Sequence, residues 1–267
     1  MTKLEQIQTL IEVLLSEMPE VKEQAERVPQ DLTSQRQLLR ALMNVRPPMP
    51  LKSSFIKLQD ELLQAEAKEK GIVTLNDIDT YRYNIKLWQG DITKLEVDAI
   101  VNAANSALFG CFLPLHSCID NAIHSAAGLQ LRDACNKIME AQGHDEPTGQ
   151  AKITPAFNLP SKFVIHTVGP IIPFNRQPNT EEERLLASCY KSCLKCVADN
   201  NLKSIAFCCI STGEFHFPNE LAAKIAFDTV KHFLSNYNGE MTVIFNTFKD
   251  IDTNVYKELL RHNDNKL

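Results

Sequence analysis

The chain has 267 residues, of which 44% are hydrophobic and 23% are charged, and its net charge at pH 7 is -5. This composition is ordinary for a globular protein with a full core, and the length suits one domain with an extension. The acidic balance argues against a non-specific nucleic-acid binder or a binder of anionic membranes, because both need clustered lysine and arginine. No signal sequence and no apolar run of about 18 residues is present, so we expect a cytoplasmic protein.

The first 80 residues predict a helical extension. Apolar residues recur there at helical spacing, which predicts helices at 2–18, 33–43 and 54–70. Thr2 and Glu5 form a capping-box pattern at the start, and Gly71 is placed to end the third helix. Region 1–80 contains no histidine or cysteine, so we expect it to pack against the remainder, 81–267, or to contact a partner.

Strand and helix patterns alternate beyond residue 80, which indicates an α/β fold with helices on both faces of a sheet. We predict strands at 83–89, 98–102, 151–154, 162–168, 204–210 and 241–248. We predict helices at 117–127, 129–142, 180–200, 218–237 and 253–261, with a capping box of Thr180 and Glu183 at the third. Ligands bind such sheets where a strand passes into a helix, and the polar residues of 99–128 lie at one of these crossings.

Three potential metal ligands, Cys111, His116 and Cys118, lie at this crossing. Two thiolates and an imidazole suit zinc, and three protein ligands are typical of catalytic zinc sites, which keep an open position. Spacing alone leaves metal binding and a pair of buried thiols beside a core histidine equally open.

Asp120 and His124 are four residues apart and therefore share one face of the next helix. In a functional interpretation Asp120 acts as a base or stabilises charge; otherwise it is a first-turn residue that interacts with the helix dipole. We expect His124 in the core.

The other cysteines indicate packing. Cys189, Cys193 and Cys196 have the spacing that holds an iron-sulfur cluster in radical enzymes, but they continue an apolar helical stripe, so we assign them to the core. Cys208 and Cys209 fall within a predicted strand and receive the same assignment. In a cytoplasmic protein we expect free thiols or metal ligands rather than a disulfide framework.

A loop with the sequence STGEFHFP, at 211–218, joins an apolar strand to a helix. Backbone N–H groups of such a glycine-bearing loop can bind a phosphate, so a nucleotide contact is one interpretation. An ordinary strand-to-helix turn is the other, because one glycine is a weak signal.

Several motifs together resemble the macrodomain family, whose members are three-layer α/β/α modules that bind ADP-ribose. They are GDIT at 90–93, VDAIVNAANS at 97–106, IHSAAG at 123–128, TGQAKIT at 148–154, LPSKFVIHTVGP at 159–170 and ISTGEFHFP at 210–218. The resemblance covers roughly residues 83–262 and implies a mixed central sheet. The glycine-rich run of most members is replaced here by GCFLPLHSCIDNAIH. This resembles zinc-containing bacterial macrodomains, which carry an N-terminal helical extension and act as protein-ADP-ribose hydrolases.

The resemblance implies roles for individual residues. The set expected to bind ADP-ribose is Asp91, Ile92, Asn102, Asn105, Ser211, Thr212, Gly213, Glu214, Phe215 and Phe248. Within this set, Asp91 and Ile92 would contact the adenine, and Phe248 would stack on it. Asn102 and Asn105 would face the distal ribose. The loop at 211–215 would wrap the diphosphate and the distal ribose. Cys111, His116 and Cys118 would hold one zinc ion beside the ribose. Asp120 would be the catalytic aspartate with Asn105 as a second catalytic residue, and His124 and His166 match positions that look structural.

The function implied is zinc-dependent removal of mono-ADP-ribose from carboxylate side chains of modified proteins, with release of ADP-ribose. Zinc would polarise the ribosyl linkage or carry a water, and Asp120 would activate water or stabilise positive charge on the ribose. A non-catalytic ADP-ribose reader and a deacetylase of O-acetyl-ADP-ribose are the alternatives. The partner implied is an ADP-ribosylated protein, with a lipoyl-carrier protein as a candidate and a sirtuin-type transferase as biological context. We expect no nucleic-acid or membrane partner.

Overall fold

A computed structural model describes residues 1–264 of the chain. Within this range a seven-stranded mixed sheet is built from the apolar, β-branched segments. In spatial order its strands are β2 (Thr80–Tyr81), β3 (Ile85–Gln89), β9 (Thr242–Thr247), β8 (Ser204–Phe207), β5 (Ala99–Ala103), β7 (Phe163–Thr167) and β6 (Ala151–Pro155). The five inner strands run parallel, whereas β2 and β6 run antiparallel to their neighbours at the two edges. The predicted α/β fold with a mixed sheet is confirmed.

Five helices flank this sheet in the described part of the chain. They are α5 (Ile119–Ala127), α6 (Leu129–Gln142), α7 (Thr180–Asp199), α8 (Asn219–Asn236) and α9 (Asp250–Asp264). Their apolar faces join the buried strands β5 and β8 in one large hydrophobic cluster. The parallel strands point their carboxyl ends toward one edge of the sheet, which is where the predicted site residues follow them in sequence.

The N-terminal extension consists of α1 (Lys3–Glu17), α2 (Lys22–Glu26), α3 (Leu32–Val45) and α4 (Ser53–Lys70). Helix α1 begins at the predicted capping box: the Thr2 hydroxyl accepts from the Glu5 N–H (3.2 Å), and the Glu5 carboxylate accepts from the Thr2 N–H (2.7 Å). Helix α4 ends at Gly71, whose φ of 82° explains the glycine. The apolar faces of α1, α3 and α4 form a second hydrophobic cluster, which Leu129 of α6 joins.

Two local predictions were wrong. Helix α7 is capped by Asn179 and Glu182 rather than by Thr180 and Glu183, because the Asn179 side chain accepts from the Glu182 N–H at 2.9 Å and Glu182 bonds back at 2.8 Å. Strand β8 ends at Phe207 rather than at residue 210, because the chain then turns into the 211–217 loop. The short elements α2, β1 (Val73–Thr74), β2 and β4 (Leu95–Glu96) have no counterpart among the predictions.

Cys208 and Cys209 therefore follow the strand instead of lying within it. Cys208 is nonetheless buried, as are Cys189 and Cys193 on α7, and Cys196 is half-buried. All eight cysteines are free thiols, in agreement with the sequence-based expectation. Among the described helices, none combines the length and the hydropathy that a membrane span requires.

Candidate active site and metal centre

Three metal-ligand side chains converge in the loop between β5 and α5. We call residues 108–118 the Cys loop, and Cys111, His116 and Cys118 the loop triad. Their ligand atoms all lie within 4.8 Å of one another, and Cys111 Sγ is 3.5 Å from His116 Nδ1. A tetrahedral zinc ion with ordinary bond lengths separates a sulfur from a nitrogen ligand by roughly 3.6 Å. The loop triad, half-buried and therefore accessible, fits a zinc ion in donor type and spacing.

Asp120 lies in the first turn of α5, directly after the loop triad. Its side chain is only 7% exposed, and Asn102 Nδ2 donates to its Oδ1 at 2.8 Å. Burial raises the pKa of Asp120 to about 6, against the opposing effects of the Asn102 hydrogen bond and the Arg132 charge. The other carboxylate oxygen, Oδ2, has no hydrogen-bond partner in the described part of the chain. One oxygen is thus fixed and the other is available.

A second Cys/His group lies behind Asp120, and we call it the core triad: His124, Cys135 and His166, all buried. His166 is held on both nitrogens, by Asn102 Nδ2 (3.2 Å) and by Thr154 Oγ1 (2.9 Å). Burial lowers the pKa of His166 to about 3 and that of His124 far below its usual range, so both rings are neutral. The core position expected for His124 is confirmed.

Gly110 lets the Cys loop pass closely over the core triad. Its φ is 81°, and a Cβ atom there would lie 2.8 Å from Cγ of the His124 ring. Only glycine accommodates both conditions without strain. The Asn105 amide fixes this turn by donating to the Gly110 carbonyl (3.0 Å) and accepting from the Ala107 N–H (3.1 Å).

The loop at 211–217 approaches the Cys loop from the carboxyl end of β8. It is closed by the Phe217 N–H, which donates to the Ser211 carbonyl at 2.9 Å. The N–H groups at 213–215 donate to no other described residue, so they are available to an anion. Glu214 Oε1 lies 3.7 Å from His116 Nε2, the ring nitrogen that faces away from Cys111. At this distance the pair is an electrostatic contact rather than a hydrogen bond, on the side of the ring where carboxylates commonly support metal-binding histidines.

The residues predicted for adenine lie at the carboxyl ends of β3 and β9. Asp91 uses one oxygen to accept from the Thr93 N–H (3.0 Å) and hydroxyl (2.7 Å), and Ile92 is buried. Phe248 follows β9 and is 74% exposed, which leaves its ring face free for stacking. The Gly90 N–H donates to the Thr247 carbonyl, so the two strand ends lie side by side.

A cavity of about 670 Å³ lies between part of the extension and the sheet domain. Its lining includes Arg36, Arg40 and Glu66 from the extension, and Asp91 and Leu115 from the remainder. Asp120 and the 211–217 loop do not line it. The cavity therefore meets the predicted adenine end of the site but is distinct from the predicted diphosphate end.

Four polar residues around the Cys loop carry no sequence signal: Arg40 and Asn44 of α3, Asn121 of α5 and Arg132 of α6. Each belongs to an amphipathic helix in which a polar residue is unremarkable, and their partners lie up to 89 residues away. Sequence reasoning could not find them because the contacts exist only in the folded chain.

Comparison with known proteins decides the family. A family model described as "Macro domain" matches residues 101–226. A protein of Treponema medium named "Protein-ADP-ribose hydrolase" is 50% identical over 264 residues, which cover 97% of this chain and 100% of that protein. The chain belongs to the macrodomain family. A second relative of the same name, from Staphylococcus aureus, is 47% identical to this macrodomain over 224 residues, or 83% of each chain.

Solved structures of macrodomains have the same fold as this chain. The Oceanobacillus iheyensis macrodomain with ADP has a TM-score of 0.62 and 39% identity, over 71% of this chain and 97% of that one. The Trypanosoma brucei macrodomain in complex with ADP-ribose has a TM-score of 0.64 and 26% identity, over 82% of this chain and 94% of that one.

Proposed function

We propose that this macrodomain is a zinc-dependent hydrolase that releases ADP-ribose from mono-ADP-ribosylated carboxylate side chains of proteins. The observation that carries the proposal is the convergence of the loop triad within 4.8 Å, directly before a buried Asp120 with one free carboxylate oxygen. A protein that only binds ADP-ribose needs neither feature. The names of the Treponema and Staphylococcus relatives agree with a protein-ADP-ribose hydrolase.

The ligand-binding part of the proposal rests on three regions at the carboxyl edge of the sheet. The N–H groups at 213–215 would bind the diphosphate, and the exposed Phe248 ring would stack on the adenine beside Asp91. Asn105 would contact the distal ribose, as the macrodomain pattern implies. Asn102 is fully buried against Asp120, so its contribution would include orienting that carboxylate.

Cys111, His116 and Cys118 would hold the zinc, which when bound supplies Lewis-acid polarisation of an oxygen next to the bond that breaks. Asp120 Oδ2 would accept a proton from the water that attacks the anomeric carbon of the ribose. As the new C–O bond forms, the bond from that carbon to the acceptor carboxylate breaks. The products are ADP-ribose and the free side-chain carboxylate of the protein.

The experiment that separates an enzyme from a reader is Asp120→Ala. We expect turnover of a glutamate- or aspartate-linked ADP-ribosyl protein to fall at least about 100-fold, because a positioned general base is worth that much. ADP-ribose affinity, measured by calorimetry, should stay within a few-fold. Asp133→Ala is the control, since the Asp133 carboxylate pairs with Lys137 on the surface of α6.

An ADP-ribosylated lipoyl-carrier protein is the first protein substrate to assay, and O-acetyl-ADP-ribose should be assayed in parallel to test the deacetylase alternative. A wild-type protein that binds ADP-ribose but turns over no ADP-ribosyl protein would contradict the proposal and favour the reader.

A further inference from the structure

The carboxyl half of the Cys loop is fastened to helix α3 of the extension. Arg40 Nη2 donates to the His116 carbonyl at 3.2 Å and to Asn121 Oδ1 at 2.7 Å. Asn121 in turn donates its side-chain amide to the Leu113 carbonyl (3.0 Å) and its backbone N–H to Cys118 Sγ (3.4 Å). One guanidinium therefore bonds directly to the backbone of one member of the loop triad and, through Asn121, to a second member.

Asn44, one turn further along α3, holds the same loop at a second point. Its Oδ1 accepts from the Leu115 N–H at 3.0 Å, and its Nδ2 donates to the Ser125 hydroxyl at 3.0 Å. Leu115 has a φ of 57°, which is unfavourable for leucine, so its backbone needs outside support. Asn44 is buried and supplies that support.

The amino half of the loop is held through Arg132 of α6. Its Nε donates to the Phe109 carbonyl at 2.6 Å, and its guanidinium lies 4.4 Å from the Phe112 ring centre. The same side chain donates to the backbone carbonyls of Met43 (2.9 Å) and Arg46 at the end of α3. The extension thus meets both ends of the segment that carries the loop triad.

We infer that helix α3 is part of the metal centre, with Arg40 as a positioning residue that holds His116 and Cys118 in ligand geometry. The inference rests on the proposed zinc function and deepens it. Outer residues that orient metal ligands are commonly worth about 10-fold to 100-fold in metal affinity, so loss of Arg40 should weaken zinc binding rather than folding. The extension then has a role at the catalytic centre beyond covering the sheet domain.

The test compares Arg40→Gln with Arg36→Gln in the full chain. Arg36 lies one turn earlier on α3 and forms a two-point ion pair with Glu66 of α4 (2.8 and 2.7 Å), without contact to the Cys loop. Arg40→Lys is the rescue variant, because a single ammonium group can donate to both oxygens that Arg40 Nη2 reaches. The readouts are zinc affinity by competition with a chromophoric chelator, the absorption spectrum of the cobalt(II)-loaded protein, and melting temperature with and without zinc.

We expect Arg40→Gln to weaken zinc affinity about 10-fold, to alter the cobalt spectrum and to melt like Arg36→Gln without metal, while Arg40→Lys recovers most of the affinity. Equal zinc affinity and an unchanged cobalt spectrum in Arg40→Gln and Arg36→Gln would overturn the inference while the zinc proposal stands. A wild-type protein that binds no zinc would overturn both.

Discussion

Two groups of cysteine and histidine lie close to α5 and differ in their surroundings: the loop triad ends at its N-cap, whereas the core triad joins His124 of α5 to α6 and β7. The loop triad is half-buried, precedes the helix and has Cys111 Sγ facing His116 Nδ1 at 3.5 Å. The core triad is sealed, and both nitrogens of His166 already contact polar neighbours. The two groups share a ligand chemistry and similar spacing, so composition alone does not distinguish a metal site from a core.

Access to solvent distinguishes them, together with the hydrogen bonds that already occupy both nitrogens of His166. A metal ion must reach its ligands from solvent and must find lone pairs that no stronger partner occupies. The loop triad is accessible to solvent, whereas the core triad is sealed, and both nitrogens of His166 are engaged although those of His124 have no hydrogen-bond partner among the described residues. Burial also keeps His166 neutral, which suits its hydrogen bonds with Asn102 and Thr154.

The largest expected effect comes from replacing a thiol of the loop triad, with a thiol of the core triad replaced as the control. Cys118→Ser should remove zinc and lower turnover at least about 100-fold, because a metal Lewis acid supplies several kcal/mol of transition-state stabilisation. Cys135→Ser is the matched control and should retain one zinc per chain and most of the activity. Metal content by mass spectrometry and initial rates check both. Zinc lost equally from the two variants would remove the distinction between the triads.

Gly110→Ala tests the contact between the two triads. The added methyl meets the buried His124 ring, and the φ of 81° disfavours any side chain, so we expect the free energy of unfolding to fall by about 2 kcal/mol. Gly143→Ala is the control, since its φ of 74° is similar but a Cβ atom added there would meet nothing within 4 Å beyond its chain neighbours. Denaturant unfolding of the metal-free proteins measures both. An equal decrease in the free energy of unfolding for Gly110→Ala and Gly143→Ala would mean that His124 does not constrain the Cys loop.

The smallest effect concerns acid stability. Burial lowers the pKa of His166 to about 3, whereas an unfolded histidine titrates near 6.5, so this side chain binds fewer protons in the folded protein than in the unfolded protein between these values. The stabilisation that the neutral His166 provides is complete above the unfolded pKa of histidine. As the pH falls below that value, the free energy of unfolding decreases by up to about 1.4 kcal/mol per pH unit. His166→Gln should flatten the pH dependence of unfolding between pH 6.5 and 5. His232→Gln, at an exposed position, should leave it unchanged, and identical slopes for the two would contradict the assignment.

The sequence predicted the major helices and the inner strands to within a few residues, because their apolar periodicity is long and uninterrupted. The errors fell where several residues satisfy the same local rule. Asn179 and Thr180 are both good helix caps with a glutamate three residues later, and only the backbone path selects the first. Two-residue strands such as β1 and β4 carry no periodicity at all.

The candidate site divides in the same way. The loop triad and Asp120 were predictable because they fall within one short stretch, so their proximity follows from the chain itself. The hydrogen bonds from Arg40, Asn44 and Arg132 to the Cys loop were not predictable from the sequence, because they join residues that only the tertiary fold brings together. The burial of Asn102 against Asp120 likewise depends on how β5 packs under α5.

The most direct test of the central claim is turnover of a glutamate- or aspartate-linked ADP-ribosyl protein by zinc-loaded and chelator-treated wild-type enzyme, with the metal content of each sample measured. We expect one zinc per chain in the loaded enzyme, loss of turnover on chelation and recovery when zinc is restored. Full turnover by protein shown to contain no metal would contradict the account.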